Sequence, residues 1–313
     1  MLVAKSTTLN DLVSDTTLKS KAASFLEAPH LAQPHEDFTD GIPYLYVGQG
    51  ELAYSYHSHP LALVSDDATT CCIVMLHDSA RFCLAHVDSS KQVRFLFDHW
   101  KSTRAVDDSS TTKVHVVGGY EDENGTGHAI VESILSAMQV GPRPFQVELW
   151  VTGPLNTLPP NASSAFALPR ARGALCIGSA AGCAASSVDF APNTYRGPLF
   201  NQRMACTPST PLHLLKTCPA LECTLGPYTR LSLTLQPSDV PKFQTWIDDA
   251  SDEAFLSRWS TSPYAEGPKF VADVKARFQF CIDQVGHHHQ HTVLHRTQRY
   301  QYDCETHEWV GVL

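Results

Sequence analysis

Cys71 and His86 lie on two consecutive segments of strand-like composition that are joined by a short polar turn. A four-residue hairpin loop over residues 77–80 places Cys71 directly opposite His86. Directly opposed residues on one face of an antiparallel pair have Cβ atoms about 5 Å apart. A thiol beside an imidazole is the minimal set of groups for nucleophilic attack on an amide carbon. The alternative is a buried structural cysteine near an unrelated histidine, because free cysteine is among the most buried residue types.

Three neighbouring residues bear on this pair. Cys72 is a rival nucleophile, but the alternation of side chains along a strand directs it to the opposite face. His77 is a rival base, and its position in the predicted turn suggests an exposed side chain. Ser65 precedes the cysteine and is a candidate to orient His86 through its hydroxyl or carbonyl group. Its alternative role is that of a turn residue before a strand.

The bulk composition excludes several classes of partner. The chain has 313 residues, a hydrophobic content of 43% and a net charge of −9. No lysine- or arginine-rich cluster is present, so neither nucleic acid nor an anionic membrane surface is an expected partner. Residues 1–10 lack the apolar core of a signal peptide. We expect a cytoplasmic protein, with the nucleus as an additional compartment.

Cysteine and histidine clusters raise the question of disulfides and metals. The ten cysteines contain no CxxC pair, and without an export signal we expect reduced thiols. The cluster His287-His288-His289-Gln290-His291 is a candidate transition-metal site, but a polar loop after a helix is the favoured interpretation. Adjacent histidines cannot all point to one centre. We therefore expect no metal and no cofactor.

The hydrophobic periodicity predicts a mixed α+β fold. We expect two layered, mostly antiparallel β-sheets flanked by helices. Besides the central hairpin of residues 70–76 and 81–87, the predicted strands are residues 44–48, 51–57, 113–117, 145–152, 174–177, 187–190, 231–236, 292–302 and 307–313. Helices are predicted over residues 16–28, 239–250 and 252–259, and from Thr126 and Pro268 onwards. We expect a single domain over residues 1–313, in which residues 154–224 form a divergent, loop-rich region.

Several blocks of sequence resemble the eukaryotic protein N-terminal asparagine amidohydrolase family. They occur in the same order and span most of the chain, apart from residues 154–224. The first is highly specific, whereas the Gly-Gly and Gly-Pro-Tyr pieces are weak alone. The matching blocks are Ser65-Asp-Asp-Ala-Thr-Thr-Cys71, Cys83-Leu84-Ala85-His86, His115-Val116-Val117-Gly118-Gly119-Tyr120, Gly226-Pro227-Tyr228, Ser260-Thr-Ser-Pro-Tyr-Ala-Glu266, Phe270-Val271, Leu45-Tyr46-Val47 and Glu51-Leu52-Ala53. More distantly, the layout is similar to bacterial chemoreceptor glutamine deamidases and cytotoxic necrotizing toxins, which implies a deamidase-like sandwich.

The resemblance implies an activity and two site residues. The family converts an N-terminal asparagine to aspartate with release of ammonia, and the aspartate product is a substrate for arginyl transfer in an N-degron degradation pathway. Cys71 matches the nucleophile and His86 the accompanying histidine. The expected partners are proteins or peptides with N-terminal asparagine, and we expect a monomer.

The chemistry of such a reaction adds expectations about other residues. We expect a thiolate–imidazolium pair between Cys71 and His86, because an unassisted thiol is mostly neutral at physiological pH. Backbone N–H groups around Thr70 are candidate oxyanion donors. A carboxylate is the simplest group to recognise the substrate's α-ammonium. Asp66 and Glu266 are ranked first for that role; Asp66 and its neighbour Asp67 lie nearest to Cys71 in sequence, and Glu266 is the remote candidate.

Two other functions remain open at this point. One keeps the thiol chemistry but acts on an internal glutamine or asparagine side chain. The other is a non-catalytic module that binds chain termini, which predicts binding without ammonia release. A peptide with an acetylated N-terminus distinguishes the first from a terminal amidohydrolase, because acetylation removes the ammonium.

Overall fold

A computed structural model gives the fold of most of the chain. The structure describes residues 1–32, 42–58, 61–103, 110–140, 143–162, 164–179, 182–191, 194–207, 210–218, 221–226, 228, 230–231, 233, 235–285, 297–306 and 308–312. Within these ranges no helix is both long enough and apolar enough to cross a bilayer. The histidine cluster at residues 287–291 and Pro227 of the Gly-Pro-Tyr block lie outside the described residues.

Helices and strands are interspersed along the chain. The helices are α1 (Leu9–Ser14), α2 (Thr16–Glu27), α3 (Ser90–Ser102), α4 (Thr126–Gln139), α5 (Phe200–Met204), α6 (Val240–Asp249), α7 (Asp252–Trp259) and α8 (Phe270–Asp283). The strands are β1 (Tyr44–Tyr46), β2 (Glu51–Tyr56), β3 (Ala62–Ser65), β4 (Cys72–His77), β5 (Arg81–Val87), β6 (Thr112–Gly118), β7 (Phe145–Val151), β8 (Thr157–Leu158), β9 (Leu168–Pro169), β10 (Ala174–Ser179), β11 (Gly182–Ser187), β12 (Cys206–Thr207), β13 (His213–Cys218), β14 (Glu222–Leu225), β15 (Arg230–Leu231), β16 (Gln298–Asp303) and β17 (Glu308–Val312).

Two sheets carry most of the fold. The larger has nine strands in the order β17-β16-β14-β13-β2-β5-β4-β6-β7, and the smaller has four in the order β1-β3-β10-β11. Most neighbouring strands are antiparallel; the parallel pairs are β1/β3, β2/β13 and β6/β7. The predicted α+β class with mostly antiparallel sheets is confirmed.

The larger sheet has a different covering on each face. One face packs against α3 and α4, where alternate residues of β4 such as Val74 and Leu76 meet Leu96 and Ile134. The other face packs against the smaller sheet, and its core contains Ile73, Met75 and Leu84 of the larger sheet together with Leu45, Leu63 and Ala174 of the smaller one. The layers are therefore helices, large sheet and small sheet, as alternation along half-buried strands requires.

The region of residues 154–224 contributes to both sheets. Strands β10 and β11 complete the smaller sheet, and β13 and β14 extend the larger one. A strand is predicted over residues 187–190, but the ladder is formed by Gly182–Ser187, which pairs with β10. The predicted strand over residues 231–236 is wrong in its described part, since only Arg230–Leu231 is extended in a ladder.

One pair of cysteines departs from the expectation of reduced thiols. Cys176 and Cys183 form a disulfide between β10 and β11. Among the free cysteines whose side chains the structure describes, five are buried as small core residues, including Cys72 and Cys83. The expectation is therefore wrong for Cys176 and Cys183, whose Cα atoms lie 6.2 Å apart on neighbouring strands, within the range that a disulfide spans.

Candidate active site

The central hairpin differs from the predicted register by two residues. His86 lies opposite Ile73, and residues 78–80 lie between the two strands instead of the predicted loop over residues 77–80. The cause is Asp78, whose carboxylate accepts hydrogen bonds from the backbone N–H groups of Ala80 and Arg81 and so begins the turn one residue later. The prediction that Cys71 is directly opposite His86 is wrong. A shift of two residues nevertheless keeps both side chains on one face of the sheet.

Cys71 lies at the entrance of β4, on the face that meets the smaller sheet. Its side chain is half-buried and lines a cavity of about 110 Å³ that His86 also lines. Cys72, by contrast, is fully buried in the core beneath the helices, which confirms that it points to the opposite face. The cavity therefore gives access to the first cysteine of the pair.

The glycine pair after β6 fixes the backbone of Cys71. The N–H of Gly119 donates to the carbonyl oxygen of Cys71 at 2.8 Å. Gly118 has φ of +118°, and a Cβ atom there would lie 2.3 Å from the same carbonyl oxygen. A side chain at Gly118 would thus displace the cysteine, which gives the Gly-Gly motif a physical reason.

His86 is positioned by Ser65 across the interface between the two sheets. The Oγ of Ser65, at the end of β3, and the Nδ1 of His86, on β5, form a hydrogen bond of 2.9 Å. Both side chains are buried. The Nε2 of His86 is also buried and has no hydrogen-bond partner among the described residues. The second ring nitrogen is therefore available to a group in the cavity.

Burial disfavours the charged forms of the Cys71 thiol and the His86 imidazole. Desolvation raises the pKa of the Cys71 thiol well above its ordinary value, and the negative charge of Asp88 adds to the shift. Desolvation also lowers the pKa of His86 to about 4. Both directions disfavour the predicted thiolate–imidazolium pair, which stays a prediction.

Asp66 belongs to a buried network at one wall of the cavity. The Tyr46 hydroxyl donates to Oδ1 of Asp66 at 2.5 Å, and the Lys269 ammonium donates to Oδ2. The backbone N–H of Phe190 also donates to Oδ2, at 3.3 Å. The Asp66 side chain is only 1% exposed. Its charge is therefore already compensated by Lys269.

Two other carboxylates line the same cavity. Glu266 is half-buried and accepts a hydrogen bond from the Ser260 hydroxyl; desolvation raises its pKa. The charge of Glu266 is near enough to Cys71 to raise the pKa of the thiol. Asp67 has φ of +59° and lies 3.4 Å from the Lys269 ammonium. Desolvation raises the pKa of Asp67 to about 7.

The segment from Ser260 to Glu266 packs on the loop that precedes Cys71. The hydroxyl groups of Thr70 and Thr261 lie 3.1 Å apart, and the Ser262 hydroxyl donates to Oγ1 of Thr69 at 2.9 Å. A hydrogen bond between Thr70 and the Cys71 thiol favours the thiolate and partly offsets its desolvation. These contacts hold the backbone on which the candidate oxyanion donors lie.

Several cavity residues carry no signal in the sequence pattern. Arg196 forms two hydrogen bonds to the carboxylate of Asp273, and Arg277 and Trp259 complete the wall. Arg196 comes from the region of little similarity, so only the folded chain reveals its place. His77, expected to be exposed in a turn, is instead a buried residue at the end of β4.

Comparisons with known proteins give the family of this chain. A family model described as protein N-terminal asparagine amidohydrolase matches residues 34–311. Curated proteins of that name from Sus scrofa and Homo sapiens are 25% and 26% identical to the chain over 244 residues. The match covers 75% of this chain and 73% and 74% of those relatives, respectively. The chain therefore belongs to the protein N-terminal asparagine amidohydrolase family.

Proposed function

We propose that the protein hydrolyses the side-chain amide of an N-terminal asparagine, with Cys71 as the nucleophile and His86 as the proton carrier. The observation that carries this proposal is the shared cavity: a half-buried thiol and an imidazole nitrogen without a partner both border it. The names of the relatives support the substrate, and the geometry supports the chemistry.

The first half of the reaction forms a thioester. The Sγ of Cys71 attacks the carboxamide carbon while Nε2 of His86 takes the thiol proton. Because burial disfavours the charged form of each group, we propose that this transfer accompanies the attack. The carbonyl oxygen becomes an oxyanion, for which the backbone N–H groups around Thr70 are the proposed donors. The C–N bond then breaks, and the leaving nitrogen takes the proton from His86 and departs as ammonia.

The second half restores the thiol. A water molecule attacks the thioester carbon, and Nε2 of His86 takes a proton from it. The C–S bond breaks, and the proton returns to Sγ of Cys71. The product is an N-terminal aspartate. Ser65 acts as a positioning residue throughout, because its hydrogen bond to Nδ1 fixes the ring that carries the proton.

Recognition of the chain terminus requires a negative charge beside the thiol. Glu266 suits this role, since it lines the cavity, is half-buried and acts electrostatically on Cys71. Asp66 is less suited, because Lys269 and Tyr46 already occupy its carboxylate. An α-ammonium paired with Glu266 would hold the side-chain amide of the same residue near Sγ, and it would reject acetylated termini.

We propose that the fit of the side chain in this cavity of about 110 Å³ gives a preference for asparagine over glutamine. A methylene difference in such a site is worth about 1–3 kcal/mol, so the preference is a matter of degree.

We further propose that residues 1–313 act as one domain and a monomer in the cytoplasm and nucleus, and that the aspartate product enters arginyl transfer and degradation.

A set of four peptides tests the proposal. Peptides beginning with asparagine, acetylated asparagine and glutamine, and one with internal asparagine and glutamine, are incubated with the protein and analysed by mass spectrometry and ammonia release. We expect conversion of the first peptide, slower conversion of the glutamine peptide and none of the other two. Conversion of the acetylated or internal peptide would establish the internal deamidase instead. Binding of the first peptide without ammonia release would establish a binding module.

A further inference from the structure

A cluster of side chains that could bind a metal ion lies at the end of β4 that is remote from Cys71. His77 ends that strand, His115 lies on β6 and Glu148 on β7. The Nε2 atoms of the two histidines are 3.3 Å apart. The Oε2 of Glu148 lies 3.8 Å from Nε2 of His77 and 3.6 Å from Nε2 of His115. Three potential ligand atoms therefore surround one point.

The backbone is adjusted to bring Glu148 into this cluster. The β6–β7 ladder pairs Val114 with Val147 but His115 with Leu149, so that Glu148 is an additional residue at a bulge. A bulge reorients the side chain of the additional residue. Here the carboxylate reaches the two imidazoles.

The separations match a tetrahedral zinc site. Nitrogen and oxygen ligands at about 2.0–2.2 Å from Zn²⁺ lie about 3.3–3.6 Å from one another in a tetrahedron. The three observed separations of 3.3, 3.6 and 3.8 Å therefore need shifts of only a few tenths of an ångström. We propose that His77, His115 and Glu148 bind one Zn²⁺ ion, with water in the fourth position.

The surroundings suit a bound cation. The His77 side chain is 2% exposed, whereas that of Glu148 is 19% exposed, so an ion has a route from solvent on the Glu148 side. Lys113 binds the other carboxylate oxygen, Oε1, at 3.1 Å and leaves Oε2 for the metal.

The proposed metal site is separate from the thiol chemistry. The six residues of β4, from Cys72 to His77, span on the order of 20 Å. An ion at His77 cannot reach a substrate held at Cys71. Its effect would be to link β4, β6 and β7 at one end of the sheet and so stabilise the fold.

Zinc binding is measured on a full-length variant in which alanine replaces the histidines at positions 287, 288, 289 and 291. This background is used because that histidine cluster is an independent candidate for metal binding. Isothermal titration with ZnCl₂ and the thermal unfolding midpoint report affinity and stabilisation. We expect one equivalent of bound Zn²⁺ and a higher unfolding temperature. Glu148→Gln and His115→Ala are each expected to weaken binding at least tenfold.

A control variant and a spectroscopic probe make the result specific. Glu132→Gln alters an exposed Glu132–His128 pair with a separation of 3.2 Å and leaves zinc affinity unchanged. Co²⁺ in place of Zn²⁺ shows the strong visible absorption of a tetrahedral site without a thiolate charge-transfer band. The proposal is overturned if the background variant binds no zinc, if Glu148→Gln binds it as tightly as its parent, or if cobalt reports thiolate ligands. Glu148→Gln is a conservative change at a half-buried position, and circular dichroism verifies directly that this variant folds.

Discussion

The hydroxyl oxygen of Ser65 lies 2.9 Å from Nδ1 of His86, and this hydrogen bond joins the inner faces of the two sheets. It fixes the imidazole ring of β5 from β3, while Nε2 remains without a partner. The position of the proposed proton carrier thus depends on the packing of one sheet on the other. A residue that does not border the cavity thereby governs one that does.

We expect loss of the His86 imidazole and loss of its hydrogen bond with Ser65 to have different kinetic effects. We expect His86→Ala to lower kcat by about 10²–10⁴-fold, because proton transfer to and from Sγ and the leaving nitrogen is lost. Ser65→Ala lowers kcat by about tenfold and leaves KM unchanged, since only ring orientation is affected. Steady-state kinetics with the asparagine peptide measures both. A Ser65→Ala enzyme with raised KM and normal kcat would contradict the positioning role.

The charge of Glu266 is expected to determine affinity for the free N-terminus. Glu266→Gln keeps the shape of the side chain and its contact with Ser260 but removes the negative charge. A charge-assisted hydrogen bond is worth about 1.5–3 kcal/mol, so kcat/KM falls about 10- to 100-fold. Glu123→Gln, in an exposed loop, is the matched control and retains full activity. Normal kinetics in Glu266→Gln together with a loss in Asp67→Asn would assign the α-amine to Asp67 instead.

The buried pair of Asp66 and Lys269 contributes to stability. Lys269→Met leaves the carboxylate of Asp66 buried without its cation, which costs about 3–5 kcal/mol of unfolding free energy. The double variant Asp66→Asn/Lys269→Met recovers part of that loss because no charge stays uncompensated. Urea unfolding provides the measurement. Arg299→Met breaks the exposed Arg299–Glu222 pair and changes stability by less than about 1 kcal/mol.

Acid is expected to destabilise the metal-free protein between pH 6.5 and about pH 4. Burial lowers the pKa values of His77, His86 and His213 to about 4, whereas unfolded histidine titrates near 6.5. Above pH 6.5 both states are deprotonated and stability is complete. Between pH 6.5 and pH 4 the unfolded chain binds more protons than the folded chain. Each of these histidines therefore lowers the free energy of unfolding by up to about 2 kcal/mol at pH 5. Urea unfolding at pH 7 and pH 5 measures this loss of stability, and we expect His213→Phe to reduce the difference between the two free energies of unfolding. Equal free energies of unfolding at pH 7 and pH 5 would contradict the prediction.

The local pattern around the thiol predicts much of the central hairpin but not its register. Alternating apolar residues predict β5 over residues 81–87, and Arg81–Val87 forms that strand. The loop depends on the Asp78 carboxylate, which accepts hydrogen bonds from two backbone N–H groups. Hydrophobic alternation does not encode these hydrogen bonds. Helix α3 is absent from the predicted elements, although Val93, Leu96 and Trp100 have helical spacing and become its buried face. Ser89 before it is a recognisable N-terminal signal.

Some residues of the candidate site lie close together in sequence, and others come from distant segments of the chain. Cys71, His86 and Ser65 lie close together in sequence, so strand geometry and the resemblance point to all three. The placement of Glu266 against the cysteine, and of Asp66 beside Lys269, depends on contacts between segments about two hundred residues apart. Those contacts require the sheets to be packed. Sequence reasoning ranks Asp66 and Glu266 together, and only the partners of each carboxylate separate them.

The central claim is that Cys71 carries the acyl group. Asparagine-initiated peptide is incubated with wild type, Cys71→Ala and Cys72→Ala, and product and any protein-bound acyl adduct are followed by mass spectrometry, with folding verified by circular dichroism. We expect Cys71→Ala to lose activity by on the order of 10⁴-fold or more and to form no adduct, whereas Cys72→Ala retains both. Substantial conversion of the peptide by folded Cys71→Ala would contradict the account.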